Sequence, residues 1–196
     1  MRNLVIVEFL TVDGVMQGLG SPDEDTDGGF AHGGWGAPYG AAIHEAVSGQ
    51  PSNTSAFLFG RRTYEKLAAF WPTQPDTNPM AAQLNAAPKH VATRTLDSFD
   101  WQHTQALDGD LAEAVAKLKA DGEDGTDIVI LGSGNLVEQL MRLGLVDQLR
   151  LFIHPLLLGT GKRLFRELPD PRRLKLVASA TTSLGTAMLC YDIETD

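Results

Sequence analysis

The chain has 196 residues, of which 43% are hydrophobic and 21% charged, and its formal net charge is -9. The length suffices for one substantial core, so we expect a single domain over residues 1–196. The negative charge argues against nucleic acid or an anionic membrane as a partner, and no apolar run approaches the ~18 residues that span a bilayer. Since Met1 leads directly into a strand pattern rather than a signal peptide, we expect a cytoplasmic protein.

Residues 4–10 form a nearly continuous apolar run that predicts a central strand, and a turn follows at Asp13 and Gly14. Residues 18–40 are rich in glycine and acidic residues and predict a long loop that is a possible lid. Its alternating aspartates imitate a calcium-binding loop, but Gly34 occupies the position that requires a glutamate, so a solvated acidic bulge is the default. Trp35 and Phe30 either cover a flat ring or only pin the loop to the body.

The middle of the chain alternates between predicted helices and strands. A short helix over residues 41–47 is ended by residues 48–51, and a buried strand over 56–59 leads through Gly60, Arg61, Arg62 and Thr63 into a second helix. Helix 80–86 and strand 89–93 follow. Residues 110–120 give the clearest helix, with a capping-box pattern at its start and a glycine after its end.

Residues 127–141 combine a buried strand with an amphipathic helix, joined by Gly132, Ser133 and Gly134. Glycines permit a tight turn and a close approach of a ligand to the main chain, while the free N–H groups of the new helix favour an anion such as phosphate. A turn that needs glycine only for packing is the alternative.

Residues 148–158 predict a long apolar strand, broken at Pro155, and residues 174–178 and 187–193 predict a final hairpin. We interpret the long strand as a sheet edge that needs covering, which predicts a homodimer. The whole pattern indicates a mainly parallel sheet with antiparallel additions and helices on both faces. Ligands in such sheets bind at the carboxyl ends of the strands, where four turns bear glycine or hydrogen-bond donors.

The order of these pieces resembles the dihydrofolate reductase fold, and more closely the reductase domain of bacterial riboflavin biosynthesis and its stand-alone relatives. The resemblance is carried by residues 11–14, 59–65, 92–94, 131–136 and 153–161. It implies a three-layer α/β/α architecture with a mainly parallel mixed sheet and a C-terminal antiparallel hairpin.

The same resemblance implies a reductase that uses NADPH and transfers a hydride to a small heteroaromatic or carbonyl substrate. The implied contacts with the adenosine phosphates are Gly60, Arg61, Arg62 and Thr63, and those with the 2′-phosphate are Thr93 and Arg94. The implied pyrophosphate contacts are Leu131, Gly132, Ser133, Gly134, Asn135 and Leu136.

Two departures from the folate reductases lead us not to expect folate reduction. The helix that carries their acid offers only Glu45 or His44 here, and Phe152 stands at the position of their threonine. We predict that Asp13, Trp35 and Phe152 contact the substrate, with a plain turn role as the alternative for Asp13. The five histidines show no metal spacing. Because the acid is missing, the rival hypothesis is a non-catalytic nucleotide-binding or dimerisation module.

Overall fold

A computed structural model describes residues 1–47, 53–166 and 168–194, which form an α/β fold with one eight-stranded mixed sheet. The strands are β1 Asn3–Thr11, β2 Thr54–Gly60, β3 Lys89–Ala92, β4 Thr104–Ala106, β5 Asp127–Leu131, β6 Gln148–His154, β7 Leu174–Thr181 and β8 Ala187–Ile193. The α-helices are α1 Gly40–Val47, α2 Arg61–Phe70, α3 Pro79–Ala86, α4 Leu111–Ala120 and α5 Gly134–Arg142. The strand order in the sheet is β4-β3-β2-β5-β1-β6-β8-β7.

The chain divides into two compact units. Unit 1 comprises Met1–Val5 and Asn53–Val146, and unit 2 comprises Ile6–Ser52 and Asp147–Asp196. The expectation of a single domain stays a prediction. The predicted end of the first helix, at residues 48–51, lies outside the described residues.

The parallel part of the fold lies in unit 1. Strand β2 pairs in parallel with β3 and with β5, and β3 pairs in parallel with β4. Each of β2 and β5 contains a continuous apolar run, at residues 56–59 and 128–131, and Phe57, Phe59, Ile128 and Ile130 are each at most 2% exposed. Such runs suit strands that are buried on both faces. The predicted strands 56–59, 89–93 and 127–131 are therefore confirmed, with small shifts at their ends.

The N-terminus of helix α4 follows from local sequence. The carboxylate of Asp110 accepts hydrogen bonds from the backbone N–H groups of Ala112 at 2.9 Å and Glu113 at 3.3 Å. These bonds satisfy donors that have no partner inside the helix, so the predicted start of this helix is confirmed.

The antiparallel part lies in unit 2, where β8 pairs with both β6 and β7. Phe152, Met188 and Cys190 form a buried cluster there, with the half-buried Val7 and Phe9 packed against it. The predicted C-terminal hairpin is confirmed, although β7 extends three residues beyond the predicted end.

Two expectations about strands are wrong. The predicted break at Pro155 is confirmed, but the strand does not continue to residue 158, because β6 ends at His154 and Pro155 has no N–H to continue a ladder. It also lies between β1 and β8, so it is not a sheet edge, and the edges are β4 and β7. The argument for a homodimer from β6 therefore fails, and the homodimer stays a prediction without that support.

Strand β4 was not predicted, because its three residues, Thr104–Ala106, carry no alternating apolar pattern. It is defined by its parallel pairing with β3. Among the described residues, no helix is both long and apolar enough to cross a membrane.

Candidate functional site

Three turns of unit 1 follow the carboxyl ends of adjacent parallel strands. Strand β2 ends at Gly60, which lies opposite Ala92 at the end of β3, and β5 runs parallel on the other side of β2. Because parallel strands end at the same edge of a sheet, the predicted cofactor residues that follow β2, β3 and β5 share one edge.

Ser133 joins two of these turns. Its hydroxyl accepts a hydrogen bond from the backbone N–H of Gly60 at 2.9 Å and donates one to the hydroxyl of Thr63 at 2.7 Å. A Cβ atom at residue 60 would lie 3.2 Å from the Ser133 hydroxyl, so glycine permits this close approach. Ser133 adopts a φ of 68°, a left-handed conformation that is strained for a serine.

The strained turn leaves the N-terminus of α5 open. The Ser133 hydroxyl makes no cap hydrogen bond to this helix, since it points to Gly60 and Thr63 instead. The first N–H groups of an α-helix lack partners inside the helix and carry the positive end of its dipole. Gly134, Asn135 and Leu136 therefore offer backbone amides to an anion, whereas the side chain of Leu136 is only 5% exposed and packs in the core.

Arg61 connects the turn after β2 with the turn after β3. Its Nη1 atom donates to the hydroxyl of Thr95 at 2.8 Å, and its Nε lies 3.5 Å from the carboxylate of Glu65. The hydroxyl of Thr93 accepts from the backbone N–H groups of Thr95 and Leu96, both at 3.1 Å. Arg94 and Arg62 are exposed near these turns.

Asp13, in unit 2, is engaged within the protein. Its carboxylate accepts from the Thr11 hydroxyl at 2.6 Å and from the backbone N–H groups of Gly159 at 2.8 Å and Leu158 at 3.3 Å. The hydrogen bond from Thr11 is the main cause that lowers the pKa of Asp13. These contacts favour the turn role over the predicted substrate contact, which stays a prediction.

Trp35 and Phe30 are buried in unit 2, each 7% exposed, in one cluster with Val15. The indole N–H of Trp35 donates to the backbone oxygen of Gln17 at 2.7 Å. This packing favours the interpretation that these rings pin the long loop, and whether the loop acts as a lid stays a prediction.

Phe152 is 3% exposed and stacks on Phe9, with ring centroids 4.9 Å apart. Its side chain belongs to the core cluster of unit 2, so it supports Phe9. Direct contact of Phe152 with a substrate stays a prediction.

Glu8 of unit 2 was missed by the sequence interpretation. It is 3% exposed, and its Oε1 atom has no hydrogen-bond partner among the described residues. Burial, aided by the nearby charge of Glu24 and opposed by a hydrogen bond from the Phe9 backbone, raises the pKa of Glu8 to about 8. The signal that would have identified it is the presence of a glutamate inside the apolar run of residues 4–10.

A surface cavity of unit 1 is lined by Asn85, Trp101, Pro72, Asp100 and Gln102. Asn85 precedes β3 and Gln102 precedes β4. The cavity therefore lies at the amino ends of the parallel strands, away from the edge that bears the three turns.

The strand order, with parallel strands in unit 1 and antiparallel C-terminal strands in unit 2, defines a dihydrofolate reductase-like α/β fold. The model of the RibD C-terminal domain family matches residues 2–188, so the chain belongs to this family. The Bacillus subtilis protein YyaP, itself uncharacterised, is 34% identical over 137 residues, which cover 68% of this chain and 71% of YyaP. The resemblance inferred from the sequence motifs is confirmed.

Two solved structures share the fold. A pyrimidine reductase-like protein from Corynebacterium diphtheriae has a TM-score of 0.63 at 15% identity and covers 100% of this chain and 93% of its own. Dihydrofolate reductase from Enterococcus faecalis, in complex with NADP(H), has a TM-score of 0.59 at 14% identity. The match covers 98% of this chain and 97% of the reductase. At these identities the likeness shows the fold alone.

The role of Ser133 is tested by two substitutions that both remove its hydroxyl. Ser133→Ala should lower the free energy of unfolding by about 1–3 kcal/mol, since the Gly60 N–H loses its acceptor. Ser133→Gly should be less destabilising than Ser133→Ala by about 1 kcal/mol, because glycine adopts a positive φ without strain. Urea denaturation measures both, with the exposed Ser98→Ala as control. If both variants lose the same unfolding free energy, the proposed backbone strain at Ser133 is contradicted.

The buried Glu8 predicts a particular pH dependence of stability. A folded pKa of about 8 against an ordinary 4.5 means that the folded state favours the neutral acid. The stabilisation is present in full below pH 4.5 and is lost as the pH rises to about 8. Over that range the wild type should lose on the order of 4 kcal/mol of unfolding free energy relative to Glu8→Gln. Denaturant titrations at several pH values measure this difference. The control Glu123→Gln, at an exposed position, should show the same pH dependence of unfolding free energy as the wild type. If the wild type and Glu8→Gln also show the same pH dependence, the raised pKa of Glu8 is contradicted.

Proposed function

We propose that this protein is an NADPH-dependent reductase that transfers a hydride to a small heteroaromatic or carbonyl substrate. The observation that carries the proposal is the linkage of three adjacent strand ends in unit 1. Ser133 joins the turns after β5 and β2, and Arg61 joins the turns after β2 and β3. A ligand that contacts all three turns must carry several hydrogen-bond acceptors along an extended shape, as a dinucleotide does.

The pyrophosphate is assigned to the start of α5. Gly132, with a φ of 66°, and Ser133, with a φ of 68°, turn the chain sharply into α5, whose first amides have no partner inside the helix. An anion there interacts favourably with both the N–H groups and the helix dipole.

The adenosine phosphates are assigned to the turns after β2 and β3. The chain has a net charge of -9, so an anionic cofactor needs cations placed locally. Arg61, Arg62 and Arg94 supply them beside the Thr63 and Thr93 hydroxyls. A basic side chain at the 2′-phosphate is the physical basis for choosing NADPH over NADH.

The family and the fold support the same proposal. Both are reductase-like, and the structurally similar dihydrofolate reductase from Enterococcus faecalis carries NADP(H). When bound, the nicotinamide supplies the hydride, while the protein binds and orients the reactants and excludes water. A small-molecule substrate follows from this chemistry.

The cofactor preference is tested at Arg94. Wild-type protein should bind NADPH at least tenfold more tightly than NADH, because Arg94 pairs with the 2′-phosphate. Arg94→Ser should lose about tenfold in NADPH affinity and leave NADH affinity unchanged. Calorimetric titration measures the dissociation constants of NADPH and NADH for the wild type and for Arg94→Ser. The matched control is Arg172→Ser, which removes an exposed arginine of unit 2. An Arg94→Ser variant that binds NADPH as the wild type does would remove the proposed role of this residue.

One observation favours the rival, a nucleotide-binding module without catalysis. The carboxylate of Glu45, the acid that α1 offers, accepts from the backbone N–H of Ser183 at 2.9 Å and from its hydroxyl at 2.7 Å. This acid is therefore occupied, and the side chain of His44 lies outside the described part of the structure.

Oxidation of NADPH distinguishes the reductase from the module. We expect slow loss of nicotinamide absorbance with at least one member of a panel of pterins, pyrimidinones and quinones. Gly132→Val should abolish this activity, since a β-branched residue is strained at a positive φ and projects at the phosphate turn. Thermal unfolding shows whether the variant is folded. Saturable NADPH binding with no oxidation across the panel would favour the module.

A further inference from the structure

Strand β7 of unit 2 forms an edge of the sheet and is almost uncovered. It pairs with β8 on one side, and no strand of the described chain pairs with its other side. Of the eight residues of Leu174–Thr181, seven are exposed and only Ala180 is half-buried. Because successive side chains of a strand point to opposite faces of the sheet, both faces of β7 are open as well as its edge.

The first half of this open strand is rich in apolar side chains. Leu174, Leu176 and Val177 are 40%, 51% and 45% exposed. The cross-strand neighbours of the two leucines on β8, Ile193 and Tyr191, are only half-buried, so the apolar group continues onto β8. Single exposed apolar residues are ordinary, whereas a contiguous group beside an open strand edge indicates a surface for another chain.

The two halves of β7 differ in the size of their side chains. Residues 174–177 are Leu-Lys-Leu-Val, whereas residues 178–181 are Ala-Ser-Ala-Thr. When two copies of β7 run antiparallel about a twofold axis between these halves, each large residue of one strand lies opposite a small residue of the other. Leu176, for example, then lies opposite Ser179. The strand is therefore complementary in shape to a second copy of itself.

The charges at the two ends of β7 are also complementary. Arg173 and Lys175 are exposed at its start. Near its other end, the carboxylate of the exposed Glu45 accepts hydrogen bonds from the backbone N–H of Ser183 at 2.9 Å and from its hydroxyl at 2.7 Å. In the antiparallel pair the basic start of each copy lies beside the acidic end of the other. The two Lys175 side chains are then about 17 Å apart along the strands, so they do not repel each other strongly.

Two features of the sheet edges limit this pairing to two copies. An isologous contact uses the same edge of both molecules, so a dimer leaves no β7 edge for a third copy. The opposite edge of the sheet, β4, has only three residues. A bulge also interrupts the register of β7 with β8 between Leu176 and Ala178, and such bulges discourage indiscriminate pairing of edge strands.

We propose that β7 is a self-association surface, through which two copies of this chain form a dimer by antiparallel pairing of β7 with β7. Backbone groups along the two edges supply hydrogen bonds, and Leu174, Leu176 and Val177 supply apolar contact near the axis. Arg173 lies beside Glu45 of the partner subunit at each end. The pairing needs no rearrangement, because the edge is already open. It gives the predicted homodimer an interface other than β6, and it does not depend on the proposed reductase function.

Sedimentation of the full chain tests the surface. At low micromolar concentration the wild type should sediment with twice the chain mass of 21.1 kDa. Leu176→Glu places a carboxylate in the apolar contact and should weaken dimerisation at least about tenfold. The matched control is Leu157→Glu, at a residue of unit 2 that is 70% exposed and lies outside β7, and it should remain a dimer. Thermal unfolding shows whether each variant is folded.

The contact between charges of different copies is tested by mixing two variants. The homodimer of Arg173→Glu brings two acids together at each end, and that of Glu45→Lys brings two bases together. Each variant alone should dimerise at least about tenfold more weakly than the wild type. In an equimolar mixture both ends of the heterodimer again join an acid with a base, so the dimer should re-form. This recovery requires that the two residues meet between copies.

Amide hydrogen exchange locates the contact without any substitution. When the wild type at high concentration is compared with the wild type at low concentration, the amides of β7 should gain protection, whereas those of the edge strand β4 should not.

Four results would overturn the proposal. The first is a wild type that has the mass of a single chain at every concentration, which would leave the β7 edge to a different partner. The others are a folded Leu176→Glu that dimerises as the wild type does, no gain of protection in β7, and a mixture of the two folded charge variants that stays monomeric.

Discussion

The hydroxyl of Ser133 is the interaction on which the candidate cofactor site depends. It lies between the Gly60 N–H and the Thr63 hydroxyl, so it sets the distance between two turns that begin 72 residues apart in the chain. Holding the hydroxyl there requires a left-handed serine backbone and a glycine at residue 60. In this geometry the Ser133 side chain makes no cap hydrogen bond to α5. Strain, close approach and an open helix end are therefore consequences of one contact.

Unit 2 depends on polar tethers of a different kind. Lys162 Nζ binds Asp25 and Asp27, each at 2.7 Å, and the Gln17 side chain donates to the backbone oxygens of the same two aspartates. The acidic run that imitated a calcium loop is thus matched by a lysine from the segment after β6. Because these contacts and the buried Trp35 act on one loop, the loop is attached to its unit along much of its length.

The ionisable groups of the two units lie in different surroundings. In unit 1 the turns at the strand ends carry exposed guanidinium groups, which suit phosphates. In unit 2 burial raises the pKa of Glu8 to about 8 and lowers the pKa of His154, so it favours the neutral form of both groups. The arginines were visible as a motif in the sequence, whereas the neutrality of Glu8 and His154 depends on burial.

The sequence by itself determined the elements whose energetics are local. The apolar runs of β2 and β5, the Asp110 cap of α4 and the glycine turn before α5 follow from periodicity and backbone preference, and together with motif order they indicated the fold. Tertiary structure decided the pairings between distant residues. The interior place of β6, the existence of β4, the engagement of Asp13 by residues after β6 and the burial of Glu8 depend on which segments meet. A local sequence pattern does not predict such contacts, because they stabilise the protein only after the chain between the two partners has closed into a loop.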